Sequence, residues 1–397
     1  MTDPAAERPA LFTAAFVTLW AVGFCQEMSF GLMVHLPGFL ESLGATEARI
    51  GLIYGGGAIV ALALRPMMGR LIDQVGRRRI FLGGIPVLAV ASASWLAVAD
   101  PGVPAFLARM AYTSAEIMLF TNLLAFGSDI VPPERRTQGF ALLGISGLLP
   151  IGLGSIIGDL VIGDDNFNRL FVLASVLAVV GWVVAWRLPS IASQDPDRLV
   201  HRGFLRVLRQ GNLMPLWLIT CTFATGIMML FTFMRTYVDH LGIGSVGLYL
   251  GTYAGVAILV RLLGTTRTDR VGVIRLLAVA ASLYAAQFLV LGLTSSVTGL
   301  LVAAVCGGLG HGFQFPLITT LLVDRARLEE RGTGFAIFSG LFDAVYLVGA
   351  PIMGALIVAA GYPASYRIVG LVILAVLAGF VVWERVRRRM PAVTGAA

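Results

Sequence analysis

Twelve stretches of this chain are each long and apolar enough to cross a lipid bilayer, and no other feature limits its fold as strongly. A hydrocarbon core about 30 Å thick needs roughly 20 apolar residues per helix. Runs of that order fall at 11–36, 48–68, 79–99, 103–127, 139–162, 170–188, 213–238, 246–265, 273–293, 298–323, 334–360 and 365–382. They are continuous stretches, not short alternations, which predicts helices and argues against a β-barrel. Only 13% of the 397 residues are charged, against about 25% in soluble domains. The 47 glycines suit close packing of helices in lipid. The first run exceeds the apolar core of a secretory signal and reads as a retained span.

Orientation follows from arginine. The chain has no lysine, so all 29 basic residues are Arg. All but Arg49, Arg109, Arg169, Arg235 and Arg367 lie before the first span, in or beside loops that follow even-numbered spans, or after the last. The positive-inside rule then predicts a cytoplasmic-membrane protein with both termini in the cytoplasm. The net charge of +7 is a topology signal and calls for no nucleic-acid partner. The run Arg385 to Arg389 would face anionic lipid. Cys25, Cys221 and Cys306 sit inside apolar runs and read as small buried hydrophobes. Neither a metal site nor a disulfide framework is expected.

One charged knot occurs twice. "RPMMGRLIDQVGRRRI" at 65–80 aligns with "RLLGTTRTDRVGVIRL" at 261–276, matching Arg65 with Arg261, Asp73 with Asp269 and Gly76 with Gly272 at an offset of 196. A second pair, beginning at Asp129 and Asp324, aligns Glu134 with Glu329, Arg136 with Arg331 and Gly139 with Gly334 at an offset of 195. The expected fold is therefore an all-α membrane protein of twelve transmembrane helices in two pseudo-symmetric six-helix bundles. The halves are 1–188 and 213–397. Residues 189–212 form a cytoplasmic linker, where Arg198, Arg202, Arg206 and Arg209 at helical spacing predict an interfacial helix.

The "GRLIDQVGRRRI" segment after the second span resembles the signature loop of the major facilitator superfamily. Gly69, Leu71, Asp73, Gly76, Arg77 and Arg78 match it in order. The resemblance covers essentially the whole chain and implies a transporter of two six-helix halves. It also implies that Asp73, with Gly69, Gly76 and Arg77 and the repeat residues Asp269 and Gly272, forms a cytoplasmic latch against the start of the eleventh span, around Arg331 to Gly334. A helix N-terminus facing Asp73 would contribute about 0.3–2 kcal/mol. Arg77, Arg78 and Arg79 read mainly as topology signals. Drug/proton antiporters of this superfamily share a fifth-span motif that "GISGLLPIGLG" at 144–154 matches in its glycines and Pro150 but not in a Gly-Pro pair. Arg109 in "LARMAYTSAE" matches the arginine of another antiporter motif, without the glutamine and glycine that follow it there.

Ionisable groups at membrane depth are costly and default to functional candidates. Glu27, Glu116 and Asp343 are the carboxylates so placed, and the repeat sets Glu116 opposite His311. These four are the proton-coupling candidates. Asp343 has the alternative of packing against a tyrosine or serine, and His311 of packing as a neutral ring. Arg109, Tyr112 and Glu116 share one face of the fourth span. His311 and Gln314 share one of the tenth. The resemblance implies that the first, fourth, seventh and tenth spans line the cavity, where Arg109, Tyr112, Gln26, Phe30, Gln314 and Arg235 are substrate candidates. Met and Phe side chains on these spans suit an adaptable apolar site.

Removing a carboxylate from water disfavours its charged form, so a proton and a cationic substrate could compete for Glu27 or Glu116. That competition is the minimal chemistry of antiport. The chain carries no phosphate-binding loop and no hydrolase or zinc-protease motif, so neither ATP-driven transport nor an enzyme is expected. The expected function is alternating-access transport of a small molecule. Proton-coupled efflux of an amphiphilic compound is favoured over uptake or a receptor role. The partners expected are that substrate and membrane lipid, the chain acting as a monomer with no cofactor and the proton gradient as its driving force.

Overall fold

The computed structural model describes residues 10–163, 166–190, 204–263, 272–327 and 330–389. Among them there is no β-strand. The first span, Ala14–Leu32, continues through the 3-10 turn Met33–His35 into Leu36–Ser42. The second to sixth are Glu47–Val75, Arg77–Ser94, Val103–Ile130, Arg136–Ile162 and Phe167–Ala185. The seventh to tenth are Met214–Leu241, Val246–Leu263, Val273–Leu291 and Val297–Arg325. The eleventh and twelfth lie within Arg331–Arg389 and meet at a kink, where Gly361 is non-helical with φ +79° and ψ +164°. The sequence reading also separates two spans here, at 334–360 and 365–382, and the positive φ, which glycine adopts without a Cβ clash, interrupts the helix between them.

Side chains cap several helix starts. Thr13, Thr46 and Ser296 accept bonds from Phe16, Arg49 and Gly299 backbone N–H groups, satisfying donors that helix geometry leaves open. A proline inside a span frees a carbonyl that lipid cannot satisfy. Pro86 lies four residues after Leu82, and Trp182 of the sixth span donates its indole N–H to the Leu82 carbonyl oxygen at 2.9 Å. Of the linker's predicted interfacial helix, 191–203 including Arg198 and Arg202 lie outside the described residues. Phe204–Leu208 forms a five-residue helix in which Phe204 and Leu205 are exposed and Val207 is buried.

Packing repeats under a shift of six spans. The first span lies against the fourth, fifth and sixth, the second against the fourth, and the third against the fourth and sixth. The seventh packs on the eleventh–twelfth pair, the eighth on the tenth, and the ninth on the tenth and on that pair. The halves meet along two seams, second against eleventh and fifth against eighth. Gly76 and Gly272, paired by the sequence repeat, both hold the left-handed region, at φ +90° and +86°, where each half turns into its third helix.

Twelve crossings return the chain to the face on which it began, here the terminal face; the other is the distal face. Both seams are tightest toward the distal face. A Cβ at Gly51 would lie 2.2 Å from the Ala350 carbonyl oxygen, and one at Gly354 would lie 2.3 Å from that of Glu47. On the other seam, a Cβ at Gly247 would come within 2.7 Å of the Ile156 Cα. Phe30 and Phe231, from opposite halves, pack with ring centroids 5.2 Å apart and planes tilted by 36°. Nearer mid-depth, Arg65 of the second span donates from Nε to Asp343 of the eleventh.

Two expected outcomes follow. Gly51→Leu or Gly247→Leu should leave each half folded but disfavour distal closure, an overpacking cost of about 1–3 kcal/mol. A Phe231→Cys reporter, in a background without Cys25, Cys221 and Cys306, should then react faster with an impermeant maleimide; unchanged labelling would refute the seam's role. Arg65→Ala should lower thermal stability by roughly 1–3 kcal/mol, because it strands the Asp343 carboxylate. Adding Asp343→Asn should recover most of that loss, and failure to recover would rule the pair out as its source.

Candidate functional site

At the middle of the bundle the first span brings Glu27, 7% exposed, beside Gln26, which donates to Glu27 Oε1 at 3.2 Å. Thirteen residues into the fourth span, half-buried Glu116 lies within electrostatic reach of Glu27, Arg109 and Asp343. The structure thus gathers three of the four proposed titratable positions into one field. Asp343 is held by Arg65 of the other half instead of by a tyrosine or serine: a carboxylate at this depth takes the full counter-charge that the facing span offers. Tyr346, one turn from Asp343, is half-buried beside the same group.

Arg109 lies toward the distal side of Glu116. Its guanidinium carbon sits 4.0 Å from the Tyr54 ring centroid and 5.9 Å from that of Tyr112. Arg109 Nε and the Tyr112 hydroxyl have no hydrogen-bond partner among the described residues. The aromatic face supplies the cation's nearest stabilisation, a contact worth about 2 kcal/mol where water is excluded. Sequence reasoning missed Tyr54, Tyr346 and Arg65 as members of this group. The only available signal was that they share spans with the repeated knot or with Asp343.

In the second half, His311 is bonded to the Tyr253 hydroxyl and set edge-on to Phe223, with ring centroids 5.1 Å apart. It is thereby built into an aromatic cage, separate from the three carboxylates. Gln314 is fully buried, and neither of its side-chain polar atoms has a hydrogen-bond partner among the described residues. Two further buried polar residues bridge helices: Asn122 donates to the Arg77 carbonyl at 2.9 Å, and Gln287 accepts from Tyr249 at 3.0 Å.

Arg235 stands elsewhere. It lies six residues before the end of the seventh span, in the distal closure and not in the centre. Its Nε donates to Asp239 at 2.7 Å, and its guanidinium is 3.6 Å from Asp159 of the fifth span and 3.4 Å from His35 of the first. Asp159 also accepts the Gly247 backbone N–H at 2.7 Å, at the start of the eighth span. One carboxylate therefore ties the N-terminal half to two helices of the other half. No sequence pattern joins His35, Asp159 and Asp239, which lie on three separate spans.

At the terminal face, Arg77 is buried, donates to Asp129 of the fourth span at 3.0 Å and approaches the Ile72 carbonyl at 3.4 Å. It is a structural tie as well as a topology signal, since its burial demands a counter-charge. Gly76 makes the turn beside it, Gly272 makes the equivalent turn, and Gly69 falls within the second span. The Asp73 side chain and all of Asp269 lie outside the described residues. No cluster of three or more His, Cys, Asp or Glu among the described residues could hold a metal ion.

Comparisons with known proteins agree with this architecture. The chain matches the Major Facilitator Superfamily model over residues 11–286 and 244–396. It is similar to an uncharacterized MFS-type transporter of Pseudomonas aeruginosa (strain LESB58), 24% identical over 98% of this chain and 96% of that protein. It is also similar to the staphylopine export protein of Staphylococcus aureus (strain Mu50 / ATCC 700699), 19% identical over 87% of this chain and 90% of that one. The inner membrane transport protein YajR of Escherichia coli (strain K12) is 26% identical over 44% of this chain and 38% of its own length. Among solved structures, the nucleoside transporter NupG superposes with a TM-score of 0.77 at 13% identity, over 94% of this chain and 100% of that one. A POT family transporter in complex with a thioalcohol-conjugated peptide gives 0.80 at 14%, over 93% and 96% of the two chains. The chain belongs to the Major Facilitator Superfamily, and is a multi-pass membrane transporter of small molecules and not an enzyme.

Proposed function

We propose that this protein exports a small amphiphilic molecule in exchange for protons. The observation that carries the reading is the group of Glu27, Glu116 and Asp343 at mid-depth, with Arg109 and Arg65 beside it. Carboxylates within reach of one another feel each other's charge. A proton arriving at one changes the field at the others and at the two arginines, and can exchange with a bound molecule in the same space. No cofactor takes part, and the proton gradient is the driving force.

Arginine distribution supports a cytoplasmic terminal face, with halves 1–188 and 213–397 joined by a cytoplasmic linker at 189–212. In that orientation the close-packed distal seams put the closed face outward, the state from which an exporter in the cytoplasmic membrane loads its cargo. The Asp159–Arg235 tie is then an outer closure that must break for release. Export is also the activity in the printed name of one full-length relative. The Met and Phe residues around the seam, Phe30 and Phe231 included, suit an apolar body of variable shape. The chain acts as a monomer, since each chain contains both halves.

The test is flux in proteoliposomes under an imposed pH gradient, across a chemically varied panel of amphiphiles. Protons flowing one way should drive a panel compound the other way. Glu116→Gln, which fixes a neutral side chain, should reduce gradient-driven flux by about tenfold or more, a rise of roughly 1.4 kcal/mol or more in the barrier to coupled transport. Gradient-independent exchange should persist. Flux that never responds to the gradient would refute proton coupling, and flux in the same direction as the protons would refute antiport.

A further inference from the structure

The two seams are related by the repeat, residue by residue. An offset of 196 takes the second span to the eighth, and one of 195 takes the fifth to the eleventh. The structure obeys both offsets. Gly51 packs against Pro351, and its counterpart Gly247 against Ile156, the counterpart of Pro351. One turn on, Gly55 meets Pro351 again and Gly251 meets Ile156 again. The same rule pairs Arg65 and Asp343 with Arg261 and position 148.

Position 148 is Leu, buried at 4% exposure. Arg261 has therefore kept its place in the eighth span while the carboxylate that its counterpart pairs with is missing. Among the described residues no carboxylate forms an ion pair with Arg261, and its buried Nε has no hydrogen-bond partner. Its guanidinium reaches across the seam, with Nη1 3.3 Å from where a Cβ would stand at Gly144 of the fifth span. Its guanidinium carbon is 5.5 Å from the Phe315 ring centroid, and Tyr253 and His311 are within electrostatic reach. At Gly147, beside Gly144 on the same helix, nothing lies within 4 Å of where a Cβ would be. An unpaired cation in the span, facing an aromatic ring with free space nearby, is costly unless something else supplies the anion. A guanidinium presents its forked donors to carboxylate, sulfonate or phosphate groups better than any other side chain does.

We infer that Arg261 receives the anionic group of the transported molecule, so the cargo is an amphiphile with an acidic head, its apolar body lying against Phe315. This rests on the transport reading above for the word cargo, while the binding itself needs no gradient. The acidic head replaces the carboxylate that the repeat lost at position 148. An anionic lipid headgroup offers the same chemistry, and the test separates the two.

The test uses purified full-length protein in neutral detergent and three probes that differ only in their head: 4-phenylbutyrate, 4-phenylbutanol and 4-phenylbutylamine. Binding is followed by calorimetry and by thermal unfolding. The wild type should bind 4-phenylbutyrate in preference to the other two, and Arg261→Gln should weaken that binding by about tenfold or more, the loss expected of a charge-assisted pair. Leu148→Asp restores the missing carboxylate. It should likewise abolish 4-phenylbutyrate binding, while unfolding at or above the wild-type temperature.

Equal binding of the three probes, no binding of 4-phenylbutyrate, or undiminished binding by folded Arg261→Gln or Leu148→Asp would each overturn the inference. Stabilisation of the wild type by phosphatidylglycerol but not by 4-phenylbutyrate would also overturn it, identifying a lipid site. If gradient-driven flux of an amine persists while acid binding fails, the anion site is wrong and proton-coupled export stands. If acid binding succeeds without any response to a gradient, the reverse holds.

Discussion

The cost of an ion without a partner in hydrocarbon organises this molecule. Water cannot reach the middle of the bundle as it reaches a protein surface, so each charge at depth must find an opposite charge, an aromatic face or a ligand. The structure answers that demand differently at each level. Arg77 with Asp129 fastens the turn at the terminal face within one half. Arg65 with Asp343 fastens the halves to each other. Arg109 lies over Tyr54, and Asp159 gathers Arg235 and the start of the eighth span at the distal face. Backbone obeys the same demand, as the carbonyl freed by Pro86 shows in finding the Trp182 indole.

Much of the architecture was legible in the chain because lipid writes coarse, local signals. Length of apolar run, arginine placement and the paired knots at Gly76 and Gly272 each reflect a constraint that acts within a few residues. Those features carried the fold and the superfamily resemblance. The boundary at Gly361 was legible as well, because a glycine beside a proline reads as a stop and the backbone is non-helical there.

The candidate site was legible only in its members, not in its pairing. Glu27, Glu116 and Asp343 were identifiable as charges out of place, but Asp343 meets Arg65 across 278 residues of sequence. No local pattern encodes such a contact; it exists because two seams bring distant spans together. Arg235 was assigned to the centre for the same reason, since depth along a helix is readable from sequence more easily than the direction in which a side chain finds its partner. What the repeat did encode, once laid on the structure, was where the two halves have ceased to be alike.

That divergence bears on how the molecule opens. Two identical seams would yield together, like an iris. Here one seam is bolted by an ion pair at mid-depth, while the corresponding place on the other holds an arginine facing a leucine-bearing helix. A force that parts the halves therefore meets its resistance at different depths on the two sides: in the middle of the bundle at Arg65–Asp343, and at the distal rim where Asp159 holds the start of the eighth span.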